Sequence, residues 1–263
     1  MNENIDRRMW STTARGFSEF IGDLHHKGIY SSSVRALEKT FKDKGIYPAR
    51  DFANRCKLAH PDVFFTFYSE ENFVDIQEIV WRTFDFVAQL LKTRRPDLQE
   101  VDLEPMIADE IRLWVYFMFI DQNARDIRQE LDILPLLLDG CRAHFVLGEL
   151  PLTRTWCCYE IALFNQRCAT QDEQLLRSFI APSQNIYFGW EQAETSEAED
   201  KLFIQDRISK NFPNGFDGFN RVMNQANGTA VLSLTERSPF YTPAAIDALG
   251  EAAEYWYSRM SSK

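Results

Sequence analysis

Residues 152–164 read Leu-Thr-Arg-Thr-Trp-Cys-Cys-Tyr-Glu-Ile-Ala-Leu-Phe, and one side chain there stands apart. On a helical wheel of residues 155–164, apolar or small residues occupy nearly every direction, so the spacing predicts a largely buried helix. Glu160 is the only charged residue of those ten. Trp156 precedes it by about one turn and shares its face. A carboxylate on a buried helix is costly unless it is paired, hydrogen-bonded or protonated. Glu160 therefore either bonds a neighbouring loop and pins it, or faces a pocket and meets substrate hydroxyls.

Other reactive residue types give weaker patterns. The four histidines, His25, His26, His60 and His144, stand at no metal-ligand spacing with cysteines or carboxylates. His144 falls in an apolar run and reads as a hydrogen-bonded core residue. The five cysteines, Cys56, Cys141, Cys157, Cys158 and Cys168, are odd in number and form no C-x-x-C, which reads as reduced thiols in a cytosol. There is no P-loop, no G-x-G-x-x-G and no G-x-S-x-G. Residues 191–200 hold five acids and read as a solvated loop and helix start.

The elements that must position Glu160 follow from the apolar pattern. Residues 1–60 read as a polar, helical N-terminal extension, with a helix near 33–44 and breaks at Gly28, Gly45 and Pro48. Residues 61–263 read as one domain. Its strands are expected at 62–68, 113–120, 143–147, 179–182 and 229–234. Helices are expected at 73–92, 124–139 (despite Pro135), 153–168 with Thr153 as cap, from the capping box at 196–199, 215–226, and from Thr242-Pro243 onward. Continuous apolar strands alternating with helices predict a doubly wound parallel α/β sheet. In the flavodoxin-like order 2-1-3-4-5, the loop at 69–72 and the loop at 148–155 flank the crevice beyond the strand ends, and Glu160 lies just inside the next helix.

Composition narrows the partners. The 263 residues carry 29 bases against 39 acids, a net charge of −10 with no basic run, which disfavours a nucleic-acid partner. The longest strongly apolar run, 113–120, has eight residues, well short of the roughly 20 of a membrane span. The N-terminus has no apolar core of a secretory signal, so a cytoplasmic protein is expected. Aromatics reach 14%, with 21 Phe, which predicts a dense interior or an aromatic-lined pocket.

The segment Pro151-Leu-Thr-Arg-Thr-Trp-Cys-Cys-Tyr-Glu-Ile161 resembles the Trp-Cys-x-x-Glu-[Leu/Ile] signature of Toll/interleukin-1 receptor (TIR) domains, with the W-x-x-x-E spacing of those that cleave NAD. Asp62-Val-Phe-Phe-Thr-Phe67 is similar to the first TIR strand. Residues 114–122 resemble the second strand and its loop, and Asp200-Lys-Leu-Phe-Ile204 resembles a later helix of a divergent microbial-eukaryote group. The resemblance covers about residues 60–235. It implies a flavodoxin-like, five-stranded parallel sheet and hydrolysis of the nicotinamide–ribose bond of NAD in signalling or defence. It makes Glu160 the catalytic carboxylate and Trp156 a pocket wall, and it sets Thr66, Phe67, Tyr68, Ser69, Asp121, Gln122 and Arg154 around NAD. NAD is then the substrate, with no cofactor or metal, and TIR-like contacts imply a homo-oligomer.

That chemistry is self-consistent. Nicotinamide leaves as a neutral ring from a cationic one, so it needs no general acid, and the transition state is oxocarbenium-like. One ionised carboxylate on the ribose hydroxyls both orients the sugar and stabilises the growing positive charge. Where many NAD-cleaving members carry Arg, this chain has Tyr68, followed by Glu70 and Glu71; Arg125, Arg128 or Arg154 must offset these acids near a pyrophosphate. The acid common near Tyr116 is also missing. Two alternatives accompany the enzyme reading: a catalytically inactive self-association or adaptor module, and cleavage of another N-glycosidic bond.

Overall fold

The computed structural model describes residues 10–70, 72–121, 123–124, 131–147, 151–170, 177–180, 190, 193–195, 198–226 and 243–262. It is an α/β protein built on a mixed sheet. The chain forms two compact units, one from residues 1–65, 69–141 and 249–263, the other from 66–68 and 142–248.

In the first unit, β1 (Trp10–Thr13) runs antiparallel to β2 (Lys57–Leu58), with Trp10 opposite Leu58. It also runs antiparallel to β4 (Arg112–Trp114), with Thr12 opposite Leu113. The start of β3 (Val63–Phe67) lies parallel to β4, giving the order β2-β1-β4-β3. Helix Ala14–His26 begins where the Thr13 hydroxyl accepts from the Gly16 amide, and it buries Phe17, Phe20, Ile21 and Leu24 at helical spacing. Gly16 is there because a Cβ would lie 2.7 Å from Thr12 Oγ1 and 2.9 Å from the Arg55 carbonyl. Helix Val34–Lys44 is capped by Ser33 and ends at Gly45, whose φ of 63° is left-handed. Helix Phe73–Arg94 buries Phe73, Ile76, Val80, Phe84, Val87 and Leu91. Phe64 stacks on Trp114 at 4.8 Å, and Phe17, Phe20 and Phe73 surround Phe117.

One buried acid ties this unit together. The Asp62 side chain, 5% exposed, accepts from Arg112 Nε at 2.9 Å, Arg112 Nη2 at 2.8 Å and Arg259 Nη2 at 2.8 Å. Burial alone would raise its pKa; the bonds to Arg259 and Arg112 outweigh that and hold the carboxyl below its ordinary value. Arg259 lies on helix Pro243–Ser261, so the pair anchors the C-terminal helix to the strand start.

In the second unit, β5 (Ala143–Leu147) runs parallel to β6 (Arg177–Ile180), with Ala143 opposite Arg177, and Thr66 and Phe67 at the end of β3 complete the order β3-β5-β6. Helices Thr155–Thr170, Ala198–Asn211 and Gly215–Ala226 pack in this unit. The Tyr159 hydroxyl accepts from Asn211 Nδ2 at 2.7 Å, and the Tyr159, Phe212 and Phe219 rings follow one another at 6.4 and 5.3 Å. Trp190 sits 5.6 Å from Phe216 and 5.7 Å from Phe219.

Several expectations need correction. The sheet is mixed rather than parallel, because β1 and β2 run antiparallel to their neighbours. Both come from the first 60 residues, which are therefore not helical alone. The apolar run 113–120 is a strand only at its start; Tyr116–Phe119 is a helical turn closed by the Ile120 amide on the Tyr116 carbonyl at 2.8 Å. The run is buried except at the half-buried Tyr116, and burial without periodicity does not distinguish strand from helix. The helix expected over 124–139 is, among described residues, a 3-10 turn at Leu131–Ile133 and a helix at Leu134–Leu138 with Pro135 in its first turn. Proline starts that helix rather than interrupting it. The strand at 229–234, the box residue Ser196 and the cap Thr242 lie outside the described residues.

Among the described residues no helix is long and apolar enough to cross a membrane. Cys141, Cys157 and Cys158 are buried, and Cys56 is half-buried.

Candidate functional site

Glu160 lies in the second unit on helix Thr155–Thr170. The helix starts on a fixed frame: the Thr155 amide and hydroxyl both donate to the Glu194 carbonyl, at 2.8 and 2.7 Å, and the Glu194 amide donates to the Thr153 carbonyl at 2.8 Å. Thr153, the expected cap, instead ends a 3-10 turn at Pro151–Thr153. The helix is as buried as its wheel predicts: Cys157, Cys158, Tyr159, Ile161, Ala162, Leu163 and Phe164 are all core. Glu160 is buried with them, 9% exposed.

The carboxyl is met by a strand. The Thr66 hydroxyl, at the end of β3, lies 2.5 Å from Glu160 Oε2 and 2.8 Å from His144 Nε2 on β5. All three groups are buried, and the His144 ring packs edge-on against Phe164 at 5.2 Å. Burial pushes Glu160 up to about 8, against a smaller lowering by the Thr66 bond. Burial drives His144 down to about 3. At neutral pH the row thus holds a protonated acid, a hydroxyl and a neutral imidazole. The Cys157 thiol, on the same helix as the acid, is pushed well above the ordinary thiol value by burial and then by Glu160, so it is not a nucleophile.

A second group forms around Arg154. Its guanidinium sits over the Tyr68 ring at 4.6 Å and pairs with Glu194 at 3.4 Å; the Arg154 side chain is 16% exposed and that of Glu194 75%. A third forms around Trp156, whose indole N–H donates to Asp200 Oδ2 at 3.2 Å and whose ring lies 5.8 Å from Phe203. Phe67 contributes its carbonyl, which accepts from the Cys157 thiol at 3.6 Å.

The structure therefore brings Thr66 to Glu160 and Tyr68 to Arg154, and turns the Trp156 indole toward Asp200. Ser69 and Asp121 belong to the first unit. There the Ser69 carbonyl accepts from the Arg35 amide at 2.7 Å, and Asp121 Oδ1 accepts from the Asn123 amide at 2.9 Å, closing its own turn. Gln122, Arg125 and Arg128 lie outside the described residues. The sequence marks His144 as a hydrogen-bonded core residue but not its partner, because that partner depends on which strands are neighbours. Asp200 appeared only within the Asp-Lys-x-x-Ile segment, and Glu194 only in an acidic stretch. Among the described residues no cluster of three or more His, Cys, Asp or Glu could hold a metal ion.

Compared with known proteins, the chain matches no family model and no curated protein sequence.

Proposed function

We propose that this chain is an intracellular TIR-like NAD glycohydrolase with Glu160 as its catalytic residue. The observation that carries the reading is the buried carboxyl of Glu160, held at the end of β3 by the Thr66 hydroxyl. The strand neighbours support the fold side of the proposal. In the first unit β3 pairs with β4; in the second, β5 lies beside the end of β3 and β6 beside β5, which is compatible with a flavodoxin-like α/β class.

Glu160 would ionise as the cationic nicotinamide–ribose group arrives, because an opposite charge favours the carboxylate. The anion would then grip the ribose hydroxyls and stabilise the oxocarbenium ion until water captures it. Arg154 supplies the positive charge that Arg at position 68 provides in many NAD-cleaving TIR domains. Its partner Glu194 is exposed and can be displaced by a phosphate, which arginine can bind through two parallel N–H donors. Glu70 is already paired with Arg35 at 2.7 Å, so it opposes a pyrophosphate less than its bare charge implies. Contacts between copies, as in TIR assemblies, belong to the same reading.

The test is nicotinamide release from NAD by the purified chain, at low and high protein concentration, beside Glu160→Gln. Release that the substitution abolishes supports the proposal. No release under any condition, or equal rates, favours the inactive self-association module.

The protonated state of Glu160 favours one other reading, in which it acts as a general acid toward a neutral leaving base in another N-glycosidic bond. A panel of nucleosides and nucleotides separates the two, since preference for a non-NAD substrate decides.

A further inference from the structure

A threonine hydroxyl has one proton to give. Thr66 Oγ1 lies within hydrogen-bond distance of both Glu160 Oε2, at 2.5 Å, and His144 Nε2, at 2.8 Å, so it donates to one and accepts from the other. When Glu160 is ionised it can only accept. Thr66 must then donate to it, and the bond to His144 survives only if the imidazole carries its proton on Nε2. When Glu160 is protonated, the opposite direction is open as well: the acid donates to Thr66, and Thr66 donates to an Nε2 without a proton. Among the described residues, the titratable groups around the acid are His144, reached through Thr66, and Cys157 and Cys158 on its own helix, with Arg154, just before the helix, acting on both thiols.

We propose that Thr66 and His144 are positioning residues for Glu160: His144, donating from Nε2, turns the Thr66 hydroxyl so that its one proton points at the Glu160 carboxylate. The pair would thereby set how readily the acid ionises without touching substrate. The consequence for catalysis rests on the glycohydrolase reading; the consequence for titration does not. At a pH below the Glu160 midpoint, each unit by which that midpoint rises cuts the ionised fraction tenfold.

The experiment is a carbon-13 NMR titration of the Glu160 carboxyl in the full chain, its signal identified by its loss in Glu160→Gln. The starting midpoint is about 8. Thr66→Val should raise it by about one unit or more, as expected for losing a hydrogen bond to a charged acceptor. Thr66→Ser should restore it to within a few tenths. His144→Phe should raise it in the same direction, and adding Thr66→Val to His144→Phe should give no more than Thr66→Val alone, because both act through one hydroxyl. His144→Phe stands as a test by itself where the valine variant does not fold. An unmoved midpoint in Thr66→Val or His144→Phe, or shifts that simply add, overturns the proposal. If NAD is cleaved, Thr66→Val should lower kcat about tenfold at neutral pH with KM little changed, and should move the acid limb of the pH profile by the same amount as the NMR midpoint. A chain that cleaves no NAD but shows the titration shifts contradicts the glycohydrolase reading alone.

Discussion

Asp62 and Glu160 are both buried acids, one in each compact unit, and their surroundings treat the two in opposite ways. Asp62 is met by two arginines, which more than offset its burial and keep it ionised. Glu160 is met by a hydroxyl, which does not offset burial, and it stays protonated near neutral pH. The difference separates an acid that holds a fold together from one kept poised to change charge. A paired acid has nothing left to offer a ligand; an acid that is hydrogen-bonded but not neutralised still gains from a cation.

The largest way to break the contrast is at Asp62. Asp62→Ala leaves Arg112 and Arg259 without their shared acceptor, and the expected loss is about 3 kcal/mol, read as a lower urea midpoint. The pH dependence has a definite sign. Because the folded pKa is depressed, the stabilisation by Asp62 is present above the unfolded value and disappears as pH falls through the folded one. The wild type and the variant should therefore converge in acid.

Glu160 should behave in reverse. Its folded pKa is raised, so its contribution is full below the ordinary carboxyl value of 4.5 and is lost as pH rises through about 8. Glu160→Gln removes that dependence. The variant should be close to wild type at about pH 4 and increasingly the more stable of the two up to about pH 8, with a gap of up to a few kcal/mol, measured by denaturation across pH. A gap that shrinks with rising pH would erase the contrast with Asp62.

Smaller effects sharpen it. Trp156→Phe removes the part-buried indole bond to Asp200 and should cost about 1 kcal/mol in thermal or urea unfolding. Glu70→Gln breaks a pair whose side chains are 43% and 45% exposed, and stability should change by less than about 0.5 kcal/mol. Glu70 and Asp62 both pair with arginine, so a large loss at Glu70 would show that burial is not what distinguishes them.

Much of this organisation was legible in the sequence where the signal was local. Glu160 stands out because it is the sole charge on a largely buried ten-residue stretch, and the patterns at 143–147 and 215–226 coincide with the observed strand and helix. Strands β1 and β2 were not legible: they are four and two residues long and depend on partners far along the chain, as in Trp10 with Leu58. The turn at Tyr116–Phe119 is hidden because the run around it is buried on nearly every side, with Tyr116 alone half-buried. The row Glu160–Thr66–His144 was half legible. Both ends were singled out, but their link is a property of strand adjacency, with Thr66 and His144 separated by 78 positions. Arg154 over Tyr68 is likewise a pairing of residues far apart in the chain, which no local pattern registers.

The most direct measurement is the rate of nicotinamide release from NAD as a function of pH, for the wild-type chain and for Glu160→Gln, including concentrations that favour assembly. Release by the wild type should climb through about pH 8 as Glu160 ionises more readily, and the glutamine variant should release none. Undiminished release from the variant, or none from the wild type at any pH or concentration, would contradict a catalytic Glu160.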